Sequence, residues 1–131
     1  MAVVDAKEIG DSLLSTTTVS FQSAVATTLY TVPTGKRCVL SFARVICGSA
    51  ASTTAIITFG QVGTLTDFLG SQTMTNLAAQ YDAVICMPVP HATVPVKTKS
   101  YAATTIIQCN VGTADTDGSD DATVMLYGSL Y

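Results

Sequence analysis

Charged side chains are scarce in this sequence. Asp, Glu, Lys and Arg together make up 11% of the 131 residues, whereas an ordinary soluble domain carries about 25%. Only six residues are Lys or Arg, and the formal net charge is −3. Nucleic acids and anionic membranes are both bound through clustered basic side chains. We therefore expect neither a nucleic acid nor a membrane as a partner.

Residue patterns that carry catalysis are also missing. Trp is absent, and the single histidine, His91, stands in a proline-containing segment. The sequence has no nucleophile elbow and no glycine-rich phosphate loop. No apolar run approaches the ~18 residues of a membrane span, and the charged beginning does not resemble a signal peptide. The sequence thus predicts no enzymatic activity, no catalytic residue, no cofactor and no secretion signal.

Four cysteines are present, and each lies within an apolar, strand-like run: Cys38, Cys47, Cys86 and Cys109. Their spacing does not match the closely paired ligands of zinc sites. We interpret them as buried thiols that act as small apolar side chains. A disulfide between spatial neighbours and a metal site are the alternatives that the spacing leaves open.

An acidic cluster occurs near the end of the chain. Four carboxylates fall within seven residues, at Asp115, Asp117, Asp120 and Asp121. Carboxylate oxygens suit a calcium ion, but the spacing differs from that of an EF-hand loop. Asp and Gly are also the usual residues of tight turns. The pattern therefore favours a solvated turn over a calcium site, and we expect no metal.

The stretch from Leu29 to Cys47 organises the rest of the chain. Two strand-forming runs flank a corner that contains Pro33 and Gly35. Proline presets φ in turns, and glycine accepts the left-handed conformation. This pattern predicts a β-hairpin with a left-handed glycine, which leads into a long apolar strand from Lys36 to Cys47.

Further strand patterns follow along the whole chain. Most runs are rich in Val, Ile and Thr and are bounded by turn residues, whereas Val62 to Gln80 reads as a loop with weak helix potential. Pro88, Pro90 and Pro95 interrupt strand pairing, so their segment is predicted to be a loop or a sheet edge. About eight short strands without a convincing helix are typical of a sandwich. The predicted fold is all-β, a single antiparallel, jelly-roll-like β-sandwich.

The predicted domain organisation is an N-terminal arm, residues 1–14, followed by a β-sandwich domain, residues 15–131. The arm is too apolar for a free tail and is expected to contact a neighbouring subunit, although packing on its own domain is the alternative. Its candidate interface residues are Val3, Val4, Ile9, Leu13 and Leu14. Several strands are apolar on both faces, for example at Ile106 and Ile107. Two apolar faces and few charges favour a subunit of an assembly.

The order Tyr-Thr-Val-Pro-Thr-Gly-Lys at residues 30–36, followed by a long apolar strand, resembles small β-sandwich virion proteins of tailed bacteriophages. The resemblance covers Leu29 to Gln61 well and the closing strand Val124 to Tyr131 in part, but it does not extend to Val62 to Lys99. It implies a capsid decoration (cement) protein on the capsid exterior, assembled in the host cytoplasm. The implied partners are the major capsid protein and further copies of the chain in a homotrimer.

A second reading of the resemblance is a tail or fibre component with a jelly-roll tip that binds a receptor or a glycan. Such a tip would present a concave, polar site built from loops. The segment from Val62 to Gln80 is the candidate for that site.

Overall fold

The computed structural model describes residues 11–116 and 121–131, and these residues form strands and loops without a helix. The prediction of an all-β chain is therefore confirmed. The strands are β1 (Ser12–Ser20), β2 (Ala26–Thr31), β3 (Cys38–Cys47), β4 (Ile56–Gln61), β5 (Thr64–Thr73), β6 (Ala83–Cys86), β7 (Ser100–Tyr101), β8 (Ile106–Thr113) and β9 (Asp121–Leu130).

The strands form two antiparallel sheets that pack as a sandwich. The first sheet has the order β1-β9-β3-β6, with β7 also paired to β3, and the second has the order β2-β8-β4-β5. Pairing is nested, since the first strand meets the last and β4 meets β5 in the middle of the chain. Because β6 and β7 share one edge position beside β3, eight strand positions result. This is the order of a jelly roll, as predicted.

The core lies between the two sheets. Strands β3 and β9 dominate it, because Leu40, Val45, Val124 and Leu126 are all 0% exposed. In both strands the buried residues alternate with partly exposed ones. One face of each strand thus packs on the second sheet, as alternation in a sandwich requires.

The corner between β2 and β3 has the predicted glycine conformation but not the predicted pairing. Gly35 has a φ of 77°, and Lys36 N–H donates to the Pro33 carbonyl oxygen at 3.2 Å. However, β2 pairs with β8 and β3 pairs with β9, so the corner carries the chain from one sheet to the other. The hairpin prediction is wrong because the backbone of Val32, buried at the corner, bonds to Thr104 and Thr105 instead of to β3.

The segment from Val62 to Gln80 is mostly strand, which corrects the prediction of a loop. Gly63 has a φ of 88° and closes a tight turn from β4 into β5. Phe68 and Leu69 in β5 are both 8% exposed and pack on the core. Register shifts in the β4–β5 pair interrupt the simple alternation of apolar and polar residues. This irregularity hid the strand from a reading of periodicity.

The proline-containing segment lies at a sheet edge, as predicted. Residues 87–99 separate β6 from β7, and both of these short strands pair with β3. Proline has no N–H to donate to a strand ladder. Pro88, Pro90 and Pro95 therefore prevent regular strand pairing along this part of the edge.

The first strand begins earlier in the chain than the sequence predicts. β1 starts at Ser12, Leu13 pairs with Tyr127, and Leu14 packs against the core. Leu13 and Leu14 therefore belong to the sandwich, although they were assigned to the arm. The other candidate interface residues, Val3, Val4 and Ile9, lie outside the described residues.

Candidate interaction surface

The outward face of the first sheet carries large apolar and aromatic side chains. Phe42, Arg44 and Ile46 alternate with the buried Ala43 and Val45 along β3. On β9, Met125 and Tyr127 alternate with buried residues in the same way. We define the outer patch as seven residues on this face: Leu13, Phe42, Arg44, Ile46, Ile85, Met125 and Tyr127.

Strand register places these residues in adjoining rows. In one row, Tyr127 of β9 lies opposite Leu13 on one side and Phe42 on the other. In the next row, Arg44 lies between Met125 and Ile85. Residues directly opposite each other in an antiparallel pair project from the same face of the sheet. The outer patch is therefore continuous across all four strand positions of the sheet.

An aromatic stack forms the centre of the patch. The rings of Phe42 and Tyr127 have centroids 4.5 Å apart and planes inclined by 14°. The Arg44 guanidinium lies 5.5 Å from the centroid of the Tyr127 ring, and its Nη1 donates to the Tyr127 hydroxyl at 3.5 Å. Stacking and cation–π contacts hold these three side chains in fixed positions on the surface.

The composition of the patch is that of a protein interface. Phe, Tyr, Met and Arg are the residue types enriched where proteins meet, and Lys, Glu and Asp are depleted there. Among the described residues, the ion pair is between Lys99 and Asp67, and Arg44 makes none. Arg44 is therefore a cation that a partner's carboxylate or carbonyl oxygens could satisfy.

The outward face of the second sheet is different. Ala26, Asn110 and Thr58 share one row, and Thr28 and Gln108 lie in the next. Gln108 Nε2 donates to Thr28 Oγ1 at 3.3 Å. These side chains are small or neutral and polar, and all but the buried Thr58 are in contact with water. The contrast between the two sheets identifies the first as the more favourable docking face.

Further apolar side chains extend the patch along the edge of the sheet. Ile85 is 55% exposed, Met87 is 47% exposed and Val89 is 85% exposed. They alternate with Cys86 and Pro88, of which Cys86 is buried. Alternation of this kind puts three apolar residues on one side of an extended segment. The exposed row thus continues from the sheet into the proline-containing segment.

One aromatic residue beside this row has an unusual backbone. Tyr81 is 77% exposed and has a φ of 72°. Its N–H donates to the Cys47 carbonyl oxygen at 3.0 Å, and the Asp82 carboxylate accepts from the N–H groups of Ala78 and Ala79. A non-glycine residue in the left-handed region is strained, and these hydrogen bonds stabilise the turn against that strain.

Two of the predicted interface residues, Leu13 and Leu14, lie in the described part of the chain and have different surroundings. Leu13 is 39% exposed and belongs to the outer patch, whereas Leu14 packs on the core. The other members of the patch were not singled out from sequence. The available signal was the presence of apolar residues on both faces of one strand, as in Val39 to Ile46. That signal does not show which face of the strand points away from the second sheet, because this orientation depends on the strands that pair with it.

All four cysteines are buried, as predicted. Burial raises the pKa of the Cys38 and Cys86 thiols to about 11. Burial, and secondarily the nearby Cys86, raises the pKa of Cys109 to about 12. A thiol with a raised pKa is a weak nucleophile because little thiolate forms near neutral pH. These cysteines are therefore part of the packed core.

His91 and the acidic cluster, which the sequence did not favour as ligand sites, have the following environments. His91 is exposed, and its Nδ1 accepts from the N–H of Thr93 at 3.2 Å. Asp115 is 5% exposed and accepts from Thr54 Oγ1 at 2.7 Å. Residues 117–120 of the acidic cluster lie outside the described residues. Within residues 11–116 and 121–131, no group of His, Cys, Asp or Glu side chains is placed to hold a metal ion.

The described part of the chain contains no cavity or cleft of ligand size. It also contains no helix that could cross a membrane. The surface feature with the most distinctive chemistry is therefore the outer patch.

Comparison with known proteins gives one informative likeness. No family model matches the sequence, and no curated protein sequence matches it. A chain in the solved structure "Cyanophage Pam1 capsid asymmetric unit" has a similar fold, with a TM-score of 0.54 and 14% sequence identity. The alignment covers 98% of this chain and 93% of that chain, so the two are of similar length. At this identity the likeness concerns the fold: this chain is similar to a subunit of a cyanophage capsid in its architecture.

Proposed function

We propose that this chain is a structural protein of a bacteriophage virion, of the capsid decoration (cement) type. It binds the outside of the capsid through the outer patch and stabilises the shell without an enzymatic step. Its partner is the major capsid protein, and its location is the exterior of the virion after assembly in the host cytoplasm.

The observation that carries this proposal is the asymmetry of the two outward faces. The first sheet exposes a stacked Phe42–Tyr127 pair beside Arg44, whereas the second exposes small and neutral polar residues and the apolar Ile106, which is 38% exposed. Apolar area removed from water contributes about 25 cal/mol per Å². A contact of modest area therefore stabilises little by itself, but a shell repeats it at every site.

Two further observations support a capsid role. The chain is similar in fold to a subunit of a cyanophage capsid, and the alignment covers 98% of its length. The low charged fraction, 11%, suits a subunit whose surface is partly covered by neighbours. The fold alone does not carry the function, because jelly rolls serve many functions.

The proposal also includes self-association and the first residues of the chain. We expect a homotrimer, as the resemblance to decoration proteins implies. Val3, Val4 and Ile9 are proposed as a second contact with a neighbouring subunit, beside Leu13 on the sheet. The segment Val62 to Gln80, named for a receptor-binding tip, contains β5, so residues 62–63 and 74–80 are the loops that it leaves for the fibre alternative.

A substitution in the outer patch tests the docking face. Ile85 is 55% exposed, so Ile85→Lys should fold normally with its ammonium group in water. In the capsid-bound state the same group would be buried without a partner and beside Arg44. A buried, unpaired charge costs about 2–5 kcal/mol, so affinity should fall at least about tenfold. The measurement is co-sedimentation of the protein with capsids prepared without it.

The matched control is Thr28→Lys, which adds the same charge to the exposed edge of the second sheet. It should bind capsids like the unchanged protein. Normal binding by Ile85→Lys together with loss of binding by Thr28→Lys would place docking on the second sheet. Failure of the unchanged protein to bind any capsid would overturn the decoration role.

A further inference from the structure

One edge of the first sheet lacks the features that usually prevent strands from pairing. β1 has nine residues, Ser12–Ser20, without a charged residue or a proline. In the described part of the chain, its strand partner is β9, on one side. Its other side therefore presents the backbone N–H and C=O groups of an edge strand, which can bond to a further strand.

The other three edges carry such protective features. β6 and β7 are four and two residues long, and three prolines occur in the segment between them. β2 is six residues long and has a register shift between Thr28 and Tyr30. β5 contains Asp67 and pairs irregularly with β4. Short strands, bulges, prolines and charges are the usual means of protecting an edge.

Side-chain bonds also close the side of the sandwich opposite β1. The Tyr101 hydroxyl of β7 donates to Asp67 Oδ1 of β5 at 2.7 Å, which joins the edges of the two sheets. Lys99 Nζ lies 3.6 Å from the other carboxylate oxygen of Asp67. No comparable link is found for β1 among the described residues. The two sides of the molecule thus differ in their readiness to accept another strand.

We propose that β1 pairs antiparallel with β1 of a second copy of this chain, about a two-fold axis perpendicular to the sheet. The pairing joins the first sheet of one copy to the first sheet of the other, which makes one continuous sheet. This inference rests on the edge of the sheet, and it stands apart from the proposed capsid role.

The chemistry of β1 suits pairing with itself. In a two-fold contact residue i of one copy meets residue j of the other and j meets i, so a charge near the axis would lie close to its own like-charged copy. β1 has no charge, and Ser15–Ser20 pair with β9 without a register shift. Thr16 and Thr18 are exposed on the outward face. Threonine pairs across antiparallel strands are stabilising.

The pairing would also extend the outer patch. Leu13 of β1 is 39% exposed and lies beside Tyr127 in the patch. An axis perpendicular to the sheet keeps the outward faces of both copies on the same side. The two patches would then form one surface of double width. This contact differs from a trimer interface, because a trimer joins two different surfaces of the subunit.

The test is the mass of the isolated full-length protein in sedimentation velocity over a range of concentrations. The variant Thr16→Lys with Thr18→Lys brings lysines opposite each other in the symmetric registers centred on Thr16, Thr17 or Thr18. We expect the unchanged protein to have twice the mass of this variant. The matched control, Ala26→Lys with Thr28→Lys, puts the same spacing on exposed residues of the β2 edge and should leave the mass unchanged.

A mixing experiment separates loss of pairing from loss of folding. The variant Thr16→Glu with Thr18→Glu should also have half the mass of the unchanged protein. When the Lys and Glu variants are mixed, opposite charges face each other across the axis. The full mass should then return, which a misfolded variant could not produce.

Hydrogen exchange of those Ser15–Ser20 amides that do not bond to β9 completes the test. Protection that rises with protein concentration supports pairing between copies. Suppose instead that these amides are fully protected at every concentration and that the protein has the same mass as the double-lysine variant. The chain would then cover the edge of β1 with its own residues. That result, an unchanged mass in the double-lysine variant, or a failure of the mixed variants to associate would overturn the proposal.

Discussion

At the scale of single residues, backbone conformation decides where the chain can turn between the two sheets. Gly35 has a φ of 77°, and a Cβ built on it would have no atom within 4 Å. Its role is therefore conformational, because space for a side chain is available. The pattern Pro-Thr-Gly predicted this left-handed glycine from sequence alone, since few other residues adopt that conformation.

Substitution of this glycine tests the corner. Gly35→Val should lower the free energy of unfolding by about 1–2 kcal/mol or more, because an L-residue in the left-handed region is strained and valine is β-branched. Gly35→Asn should be milder, since asparagine tolerates this region. The control is Gly70→Ala, which has open space and no positive φ. Chemical denaturation measures all three, and an unchanged midpoint for Gly35→Val would contradict the proposed role of the corner.

At the scale of elements, β9 determines how the first sheet is assembled. It lies between β1 and β3 and pairs with both along most of its length. At Gly128 there is no room for a side chain, because a Cβ there would collide with the Val39 carbonyl oxygen and would lie 3.1 Å from Leu14 Cδ1. The closing strand was predicted from sequence, but its central position was not, because pairing partners are distant in the chain.

Substitution of Gly128 tests this close approach. Gly128→Ala should lower the free energy of unfolding by about 1–3 kcal/mol, since backbone atoms of β3 would have to move. Gly112→Ala is the matched control in another strand, because its Cβ would lie 3.8 Å from the nearest atom, the Ile56 carbonyl oxygen. The control should be neutral or slightly stabilising. Equal thermal midpoints for the two variants would mean that β3 and β9 do not approach so closely.

At the scale of the whole molecule, the buried thiols link the core to pH. The thiols of Cys38 and Cys86 have a pKa raised to about 11, from an ordinary value of 9.0, and that of Cys109 is raised to about 12. Burial also raises the pKa of Tyr101, with the hydrogen bond to Asp67 as a further cause. Each of these groups is neutral in the folded protein, while in the unfolded chain it ionises at a lower pH.

The sign of the pH dependence follows from these shifts. A raised folded-state pKa contributes stability that is complete below the ordinary pKa and is lost as pH rises through the folded-state value. Stability should therefore be constant up to about pH 9 and should fall steeply between about pH 9 and 12. Thermal unfolding at stepped pH measures this. The variant Cys109→Ala should be less stable than the unchanged protein at neutral pH, but its stability should fall less as the pH rises. If all thiols of the fully folded protein titrate near pH 9, the prediction is wrong.

Reading the sequence alone predicted the fold class, the strand runs of β3, β8 and β9, the left-handed Gly35, the proline-interrupted edge and the burial of the thiols. These features depend on local conformational preference and on the apolar character of neighbouring residues. Local preference could not decide that the Pro33 corner changes sheets, since a hairpin and a crossing use the same turn.

The pairing of the strands, and the choice of which apolar face lies outside, are visible only in the folded structure. Phe42 and Tyr127 are 85 positions apart in the chain, yet their rings stack because β3 and β9 are neighbours in the sheet. Among the described residues, the edge position of β1 is likewise set by β9, which comes from far along the sequence and occupies one side of β1. Long-range strand pairing creates both surfaces, and a single sequence carries no local signal of that pairing.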